Sequence, residues 1–354
     1  NKTLECYKVL ATVSSMANRV YRLNDIYSIV KNDDRNKIDI FAQPKKMIFK
    51  CNGENKYELI SKSKGERILL NENSLTSLFN RYNIPVREAK ILLNRDSRYI
   101  EDLVNQFLNL DDSEMLIRAR ILNKNTAASR AILSENYSIL NNNNILKILY
   151  DLNIESKGMK ISNFNMNDGF FHLRFVFDPK DLNVGKSLDN ANDILKYGID
   201  IINSETGRAS FGLEPMVWRL VCSNGLKAWR KDEGGIRQRH IYINENHLLD
   251  LVRTGISNSL NKSEELAESF IRSKNIPVEN PVVTIERIAH QQKVPKKVKV
   301  LAERAFYKEP EFNWYGVVNA FTRAARSLQG ENRLNIERLA GRMLSDKELL
   351  ELAS

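Results

Sequence analysis

A chain of 354 residues with 42% hydrophobic and 8% aromatic residues can bury one large core or two ordinary ones, which excludes a disordered or fibrous polymer. No apolar run approaches the roughly 20 residues of a bilayer span, and the N-terminus lacks a basic-then-apolar leader, so a membrane partner is not expected. Lysine and arginine (54) exceed aspartate and glutamate (44), a formal charge of +10 that favours polyanions.

Residues 1–32 have helical spacing of apolar positions, and a polar break at 31–37 follows. Residues 38–42, 47–51, 57–60 and 68–70 are short and β-rich, with a turn at Asn52-Gly53. A helical block comes next. Asn73-Ser74 is positioned to cap a helix carrying Leu75, Leu78 and Phe79, Ile84-Pro85 breaks it, and two more helices are expected at 86–94 and 99–110. Residues 115–122 and 129–134 form a hairpin pattern on which Arg118, Arg120 and Arg130 occupy alternating positions. Such a row is either a solvated basic face or a track for a phosphate backbone.

A helix over 140–150 precedes the clearest hairpin, 160–166 and 170–177, joined by Asn167-Asp168-Gly169, whose residues tolerate positive φ. Residues 181–196 read as a loop. Strands are expected at 197–203, 216–222, 226–229 and 236–243, with Ser223-Asn224-Gly225 as a turn. From 246 onward the pattern is helical: 248–260, 263–273, 282–291, 298–307, 313–328 and 336–344, with a basic connection from Lys293 to Lys299.

The sequence carries no Walker loop, dinucleotide fingerprint, His-Glu-x-x-His or Gly-x-Ser-x-Gly. Three widely spaced cysteines, Cys6, Cys51 and Cys222, fit neither a disulfide framework nor a zinc site and read as buried or incidental thiols in reducing surroundings. A Cys222–His240 nucleophile pair would need a third orienting group that no spacing supplies, and His172 with His240 lacks metal-ligand spacing. No catalytic residue, metal site or cofactor is therefore expected. The constellation with chemical content is basic and aromatic: Arg208, Trp218, Arg219, Lys227, Trp229, Arg230, Arg237, Arg239 and Tyr242 crowd onto strands and their turns. Arginines with aromatics on one sheet face hold single-stranded nucleic acid by neutralising phosphates and stacking bases. The competing reading makes Trp218 and Trp229 core anchors with arginines on the wet face.

Several segments, in order, resemble a family found in phages and plasmids, the domain of unknown function DUF932. They are Ser129-Arg-Ala-Ile-Leu-Ser-Glu-Asn-Tyr-Ser-Ile-Leu, Asn203-Ser-Glu-Thr-Gly207, Trp218-Arg-Leu-Val-Cys-Ser-Asn-Gly-Leu226, Arg239-His240 and Trp314 to Ala325, preceded by 75–85. The resemblance spans roughly residues 70–345. It implies a mobile-element setting and transfers no catalytic residue. It also implies two roles: single-stranded DNA binding or annealing, similar to that of phage recombination annealases, or a structural, virion-associated protein.

The expected fold class is α+β, with an antiparallel, hairpin-rich sheet in 38–70 and 115–243 packed by helices and a helical C-terminal region. Three segments are expected: an N-terminal helix with short strands (1–70), an α+β core (71–245), and a helical region packed on it (246–354). The expected function is non-enzymatic binding of nucleic acid, foremost single-stranded DNA. Arg118, Arg120, Arg130, Arg219, Arg237 and Arg239 would contact phosphates, with Trp229 and Tyr242 as stacking groups. The alternative is a phage structural protein that meets other phage proteins or copies of itself; either way the expected location is the host cytoplasm or the virion. An enzyme is the third reading, with Asp200 and Glu205 as its first carboxylates to test.

Overall fold

The structure, a computed structural model, describes residues 22–53, 56–177, 182–186, 192–219, 224–227, 235–242 and 244–353. Where a helix over 1–32 was expected, the described residues hold α1 (Leu23–Asp34), which starts after an extended Arg22; residues 1–21, Trp229 and Cys222 lie outside the described residues.

The α+β class holds, but the strands divide between two sheets rather than one. The first has six strands, β1 (Lys37–Ala42), β2 (Met47–Cys51), β3 (Tyr57–Ser61), β4 (Arg67–Leu70), β5 (Met115–Asn123) and β6 (Thr126–Ser134), in the order β1-β5-β6-β4-β3-β2. Every pairing is antiparallel except β4 with β6. The edge strands β1 and β2 are joined by only Gln43–Lys46. Five inter-strand steps of a flat sheet would separate them by about 24 Å, whereas the connection reaches at most about 18 Å, so the sheet curls. Helices α2 (Glu72–Arg81), α3 (Val86–Arg95) and α4 (Ser97–Leu110) share a core with Phe49, Leu59, Met115, Ile117 and Ile132. The cap of α2 is Asn71, whose side chain accepts from Ser74 N, so that helix starts before the Asn73-Ser74 pair. The open edge of β2 is closed by side chains of α4: Asn105 exchanges both of its amide hydrogen bonds with the Phe49 backbone, and Glu101 accepts from Cys51 N.

The second sheet contains β7 (Met159–Asn167), β8 (Phe170–Phe177), β9 (Leu182–Lys186), β10 (Asn192–Asn203), β11 (Phe211–Arg219), β12 (Asn224–Lys227) and β13 (Ile236–Gln238). Its main path is β12-β11-β10-β8-β7, with β9 on β10 and β13 on β11. The Asp168-Gly169 turn of β7–β8 falls where its Asn-Asp-Gly sequence requires. Residues 181–196 are not a simple loop, because β9 and the start of β10 pair there through a bulge. Asn224 and Gly225 belong to β12, opposite Arg219 and Trp218, and not to a turn. The strand expected at 236–243 stops after three residues.

Helix α5 (Asn142–Asp151) stands between the sheets in sequence, and α6 (Glu245–Arg272), α7 (Pro281–Gln291), α8 (Lys296–Lys308), α9 (Trp314–Ala325), α10 (Gly330–Arg342) and α11 (Lys347–Leu350) close the second core. α6 is one 28-residue helix where two were expected. Polar Asn261-Lys262-Ser263 looked like a break, yet Val252, Ile256, Ser259, Ser263, Leu266 and Phe270 keep one buried stripe in step with the helical period. Ser259 and Ser263 are small enough to be enclosed without disturbing it. At Gly255 a β-carbon would lie 2.2 Å from Ile236 Cδ1, so the glycine lets α6 approach β13. In α9, capped by Asn313 through Gly316 N, Trp314 is fully buried and donates to Met343 O at 2.7 Å.

The expected boundary at 70/71 runs through the first sheet, since β1–β4 pair with β5 and β6. The segment 71–245 contributes to both sheets.

Candidate functional site

The three hairpin arginines face inward, into the junction between the sheets. Arg118 and Arg120 lie two apart on β5 and so share a face. The β5–β6 register slips between Arg118/Ala119, and this bulge leaves Arg130 as the extra residue of β6. Arg118 donates Nε to Asp39 (2.8 Å) and Nη1 to the Glu205 carbonyl (2.8 Å), and its Nη2 reaches Asn141. Arg120 contacts Asp33 and Asp168, each at 2.7 Å. Arg130 contacts Asp168 at 2.9 Å and Glu205 at 2.7 Å. Lys37 completes the set with Asp33, Asp34 and Glu205. Arg118 and Arg130 are 1% and 4% exposed, so the reading of these three arginines as phosphate contacts is corrected. A nucleic acid could reach them only by displacing the carboxylates paired with them.

The hub of this junction is Asn203-Ser-Glu-Thr-Gly207, a turn whose first four residues are at most 3% exposed. Glu205 accepts from Asn142 N at the start of α5 (2.9 Å), where the helix dipole adds to the attraction. Asn203 Nδ2 donates to Leu140 O and Asn142 Oδ1, and Tyr137 OH donates to Ser204 O. Gly207 has φ +74°, and a β-carbon there would sit 2.9 Å from Leu133. Burial opposes ionisation of Glu205, but Lys37, then Arg130 and Arg118, overcome it and hold its pKa at about 2.

A second ionic cluster is enclosed within the second sheet, under α10. Asp200 on β10 has Arg174 and Glu214 as register partners on β8 and β11. Arg174 grips Asp200 with two hydrogen bonds (2.7 and 2.8 Å), and His172 Nε2 lies 3.1 Å from it. Lys227 Nζ contacts Asp200 and lies 3.6 Å from Glu214 and 3.5 Å from Glu337. Arg333 donates to Glu337 at 2.8 Å, and Arg338 holds Glu214. Burial disfavours the Asp200 carboxylate, yet Arg174 and then Lys227 hold its pKa well below the ordinary value; burial also lowers the pKa of His172.

Asp200 and Glu205, the first carboxylates named for an enzyme, are thus buried and fully engaged with cations. Among the described residues no group of three or more His, Cys, Asp or Glu could hold a metal ion, and no helix is long and apolar enough to cross a membrane. His240 stacks on Tyr137 (5.2 Å) and is held near pKa 4, chiefly by burial. Burial also pushes the Cys51 thiol up to about 12, which makes it a poor nucleophile.

The remaining sequence-derived residues meet a different environment. Arg237, on β13, is exposed and lines a cavity of about 650 Å³ beside α10 and the α7–α8 connection. Lys293, Lys297, Arg338 and Arg342 join it, and no aspartate or glutamate is among the described residues lining that cavity. The start of α8 contributes the positive end of its dipole with no acidic residue in its first turn. On α10 the helical period puts Asn332, Asn335, Leu339 and Arg342 on the cavity side and Arg333 and Glu337 on the cluster side, with Arg338 between them. Arg239 and Tyr242 follow Arg237 in the chain and are exposed, with buried His240 between them; Tyr242 is 81% exposed and left-handed at φ 56°. Arg219 lies on β11, pairing with Asn224 and Leu195, and Trp229 is outside the described residues. A larger cavity of about 880 Å³ at the curl of the first sheet has mixed charge: Lys46, Lys64, Arg67 and Lys124 against Asp39, Glu66 and Glu114.

Sequence reasoning missed Arg338 and Arg342, and it took Lys293 to Lys299 for a solvated connection. The available signal was the recurrence of Arg338 and Arg342 at i, i+4 on one helix. Comparison of the chain with family models, with curated proteins and with solved structures returned no match.

Proposed function

We propose that this chain binds single-stranded DNA, without chemistry of its own, along a cationic track. The track runs from the cavity beside α10 through Arg237 and Arg239 to Tyr242. One observation carries the reading: five cationic side chains from three separate stretches of sequence converge on one concave surface, with no carboxylate among the described residues lining it. Clustered positive charge in a cleft attracts polyanions and lowers the cost of desolvating a phosphate. A cavity of about 650 Å³ has the dimensions of a small-ligand pocket, which a duplex cannot enter but an extended strand can fill with individual nucleotides. Exposed Tyr242 supplies a stacking face. An annealing or strand-protecting role suits the mobile-element setting that the resemblance of residues 70–345 implies.

The test is titration of a labelled oligonucleotide at about 50 mM and about 200 mM salt. Roughly four phosphate contacts give a slope near −3 in log affinity against log salt, hence about 50-fold weaker binding at the higher salt. Absence of binding at low salt, or binding indifferent to salt, overturns the proposal.

A further inference from the structure

The cavity beside α10 offers more than charge. Arg342 Nη2 donates to Gln292 Oε1 at 2.9 Å, and Arg338 Nη1 lies 3.5 Å from Asn335 Oδ1. Each arginine thereby occupies a carboxamide oxygen and leaves the amide nitrogen as the group available to donate. With Lys293, Lys297 and Arg237 added, the charged and amide groups left available are donors. Such a lining suits a ligand rich in acceptors and carrying several negative charges, and phosphate esters are that class. Beneath these donors lies an apolar wall: Val298, Ile336 and Leu339, all buried, with Val294, Pro295 and Leu328 beside them. Inorganic phosphate alone would leave that wall wet. A planar, apolar-faced group attached to a phosphate would cover it.

We infer that this cavity is a nucleotide pocket, which takes the phosphate of one nucleotide on Arg342, Arg338 and the neighbouring lysines and its base against the Ile336–Leu339 wall. The inference rests on the same cavity as the nucleic-acid reading and specifies its unit of recognition. That unit comes either as a free nucleoside monophosphate or as one unstacked nucleotide of a strand. The volume of about 650 Å³ leaves room for it. Arg338 has a second role: its bond to Glu214 anchors the pocket to the enclosed cluster, so the phosphate-binding edge is held by a buried carboxylate rather than by a mobile surface chain.

The experiment is calorimetric titration of the full chain at low salt with deoxyadenosine 5′-monophosphate, with deoxyadenosine, and with inorganic pyrophosphate. The monophosphate should saturate, with the unphosphorylated nucleoside and pyrophosphate each at least about tenfold weaker, because each lacks one half of the match. Arg342→Gln should weaken the monophosphate about tenfold, whereas Arg272→Gln, an exposed arginine that lines no part of the cavity, should leave it unchanged. If Arg342→Gln melts early, Lys297→Gln at an exposed position replaces it, with the same outcome expected. No saturation below about 10 mM overturns the inference. So does pyrophosphate binding as tightly as the monophosphate, or an unchanged cavity variant. Displacement of the monophosphate by an oligonucleotide assigns the pocket to the strand; oligonucleotide binding without displacement assigns it to the free nucleotide. Salt-dependent oligonucleotide binding with no monophosphate saturation sinks the nucleotide pocket alone. Monophosphate saturation with no oligonucleotide binding sinks the nucleic-acid reading alone.

Discussion

Two arginine-rich regions of this molecule look alike in sequence and behave oppositely in space. At the junction between the sheets, Lys37, Arg118, Arg120 and Arg130 meet Asp33, Asp34, Asp39, Asp168 and Glu205: four cations against five carboxylates. Beside α10, five cations line a cavity, and Glu214, which holds Arg338, lies outside the lining. The first set has a small anionic excess and is enclosed, so it joins one half of the chain to the other. The second keeps positive charge in contact with solvent. The difference is set by the partners, not by the arginines. Asp33 lies 87 residues from Arg120, and Glu205 lies 75 from Arg130. A strand-borne arginine row announces a phosphate track only where folding brings no carboxylates to meet it.

The sharpest way to break this comparison is to remove a cation from the closed region. Arg130→Met would leave Glu205 with Lys37 and the α5 N-terminus, and Asp168 with Arg120. Removing one member of a buried ionic network typically costs about 3–5 kcal/mol, because the remaining charge stays desolvated. Denaturant unfolding should show that loss. Oligonucleotide affinity, measured on the fraction still folded, should be unchanged. A parallel loss of affinity there would mean that the junction does touch nucleic acid.

Acid should open the same region in two stages. His240 has a folded pKa of about 4 against an ordinary 6.5, so the unfolded chain takes up a proton that the folded chain refuses. Its contribution is complete above about pH 6.5 and is lost as pH falls toward 4, at up to about 3 kcal/mol. Glu205, at about 2 against 4.5, is also depressed, so its contribution is present above about pH 4.5 and is lost as pH falls toward 2. Stability should therefore fall with acidification first through the histidine window and then through the carboxylate window. His240→Phe should shrink the first stage to the share carried by buried His172 while leaving the second. If stability is level between pH 6.5 and 4.5 in the unaltered chain, His240 is not held neutral by burial.

The same contrast explains what could be read from the residues and what could not. Hairpins and most helices were legible because their signals are local: Asn167-Asp168-Gly169 at a tight turn, Ile84-Pro85 as a stop. The division into two sheets was not, because strand pairing joins β4 to β6 across more than fifty residues and no spacing records it. α6 hid behind three polar residues, two of them compatible with a helix surface and one, Ser263, small enough to bury. For the site, Arg237 was legible as an exposed strand arginine, but Arg338 and Arg342 gain meaning only when α10 is laid beside the α7–α8 connection. The structure gives Asn203-Ser-Glu-Thr-Gly207 a packing role at the junction.

The open region should respond to mutation in the reverse sense, with little effect on folding and a clear one on binding. Lys293 and Lys297 are exposed, so Lys293→Ala with Lys297→Ala should change unfolding free energy by no more than about 0.5 kcal/mol. Each lysine that meets a phosphate releases about 0.7 of a counterion from a single strand. The double variant should therefore reduce the salt slope by about 1.4 as well as weaken binding at low salt. The slope separates two origins of the cavity's affinity. If the lysines only raise the general potential, affinity drops but the slope shifts by a fraction of that amount. If they contact phosphate directly, slope and affinity fall together, and the effect grows as salt is lowered. A variant that binds as the unaltered chain does, with the same slope, would remove the α7–α8 connection from the track and leave Arg237 and α10 to carry it.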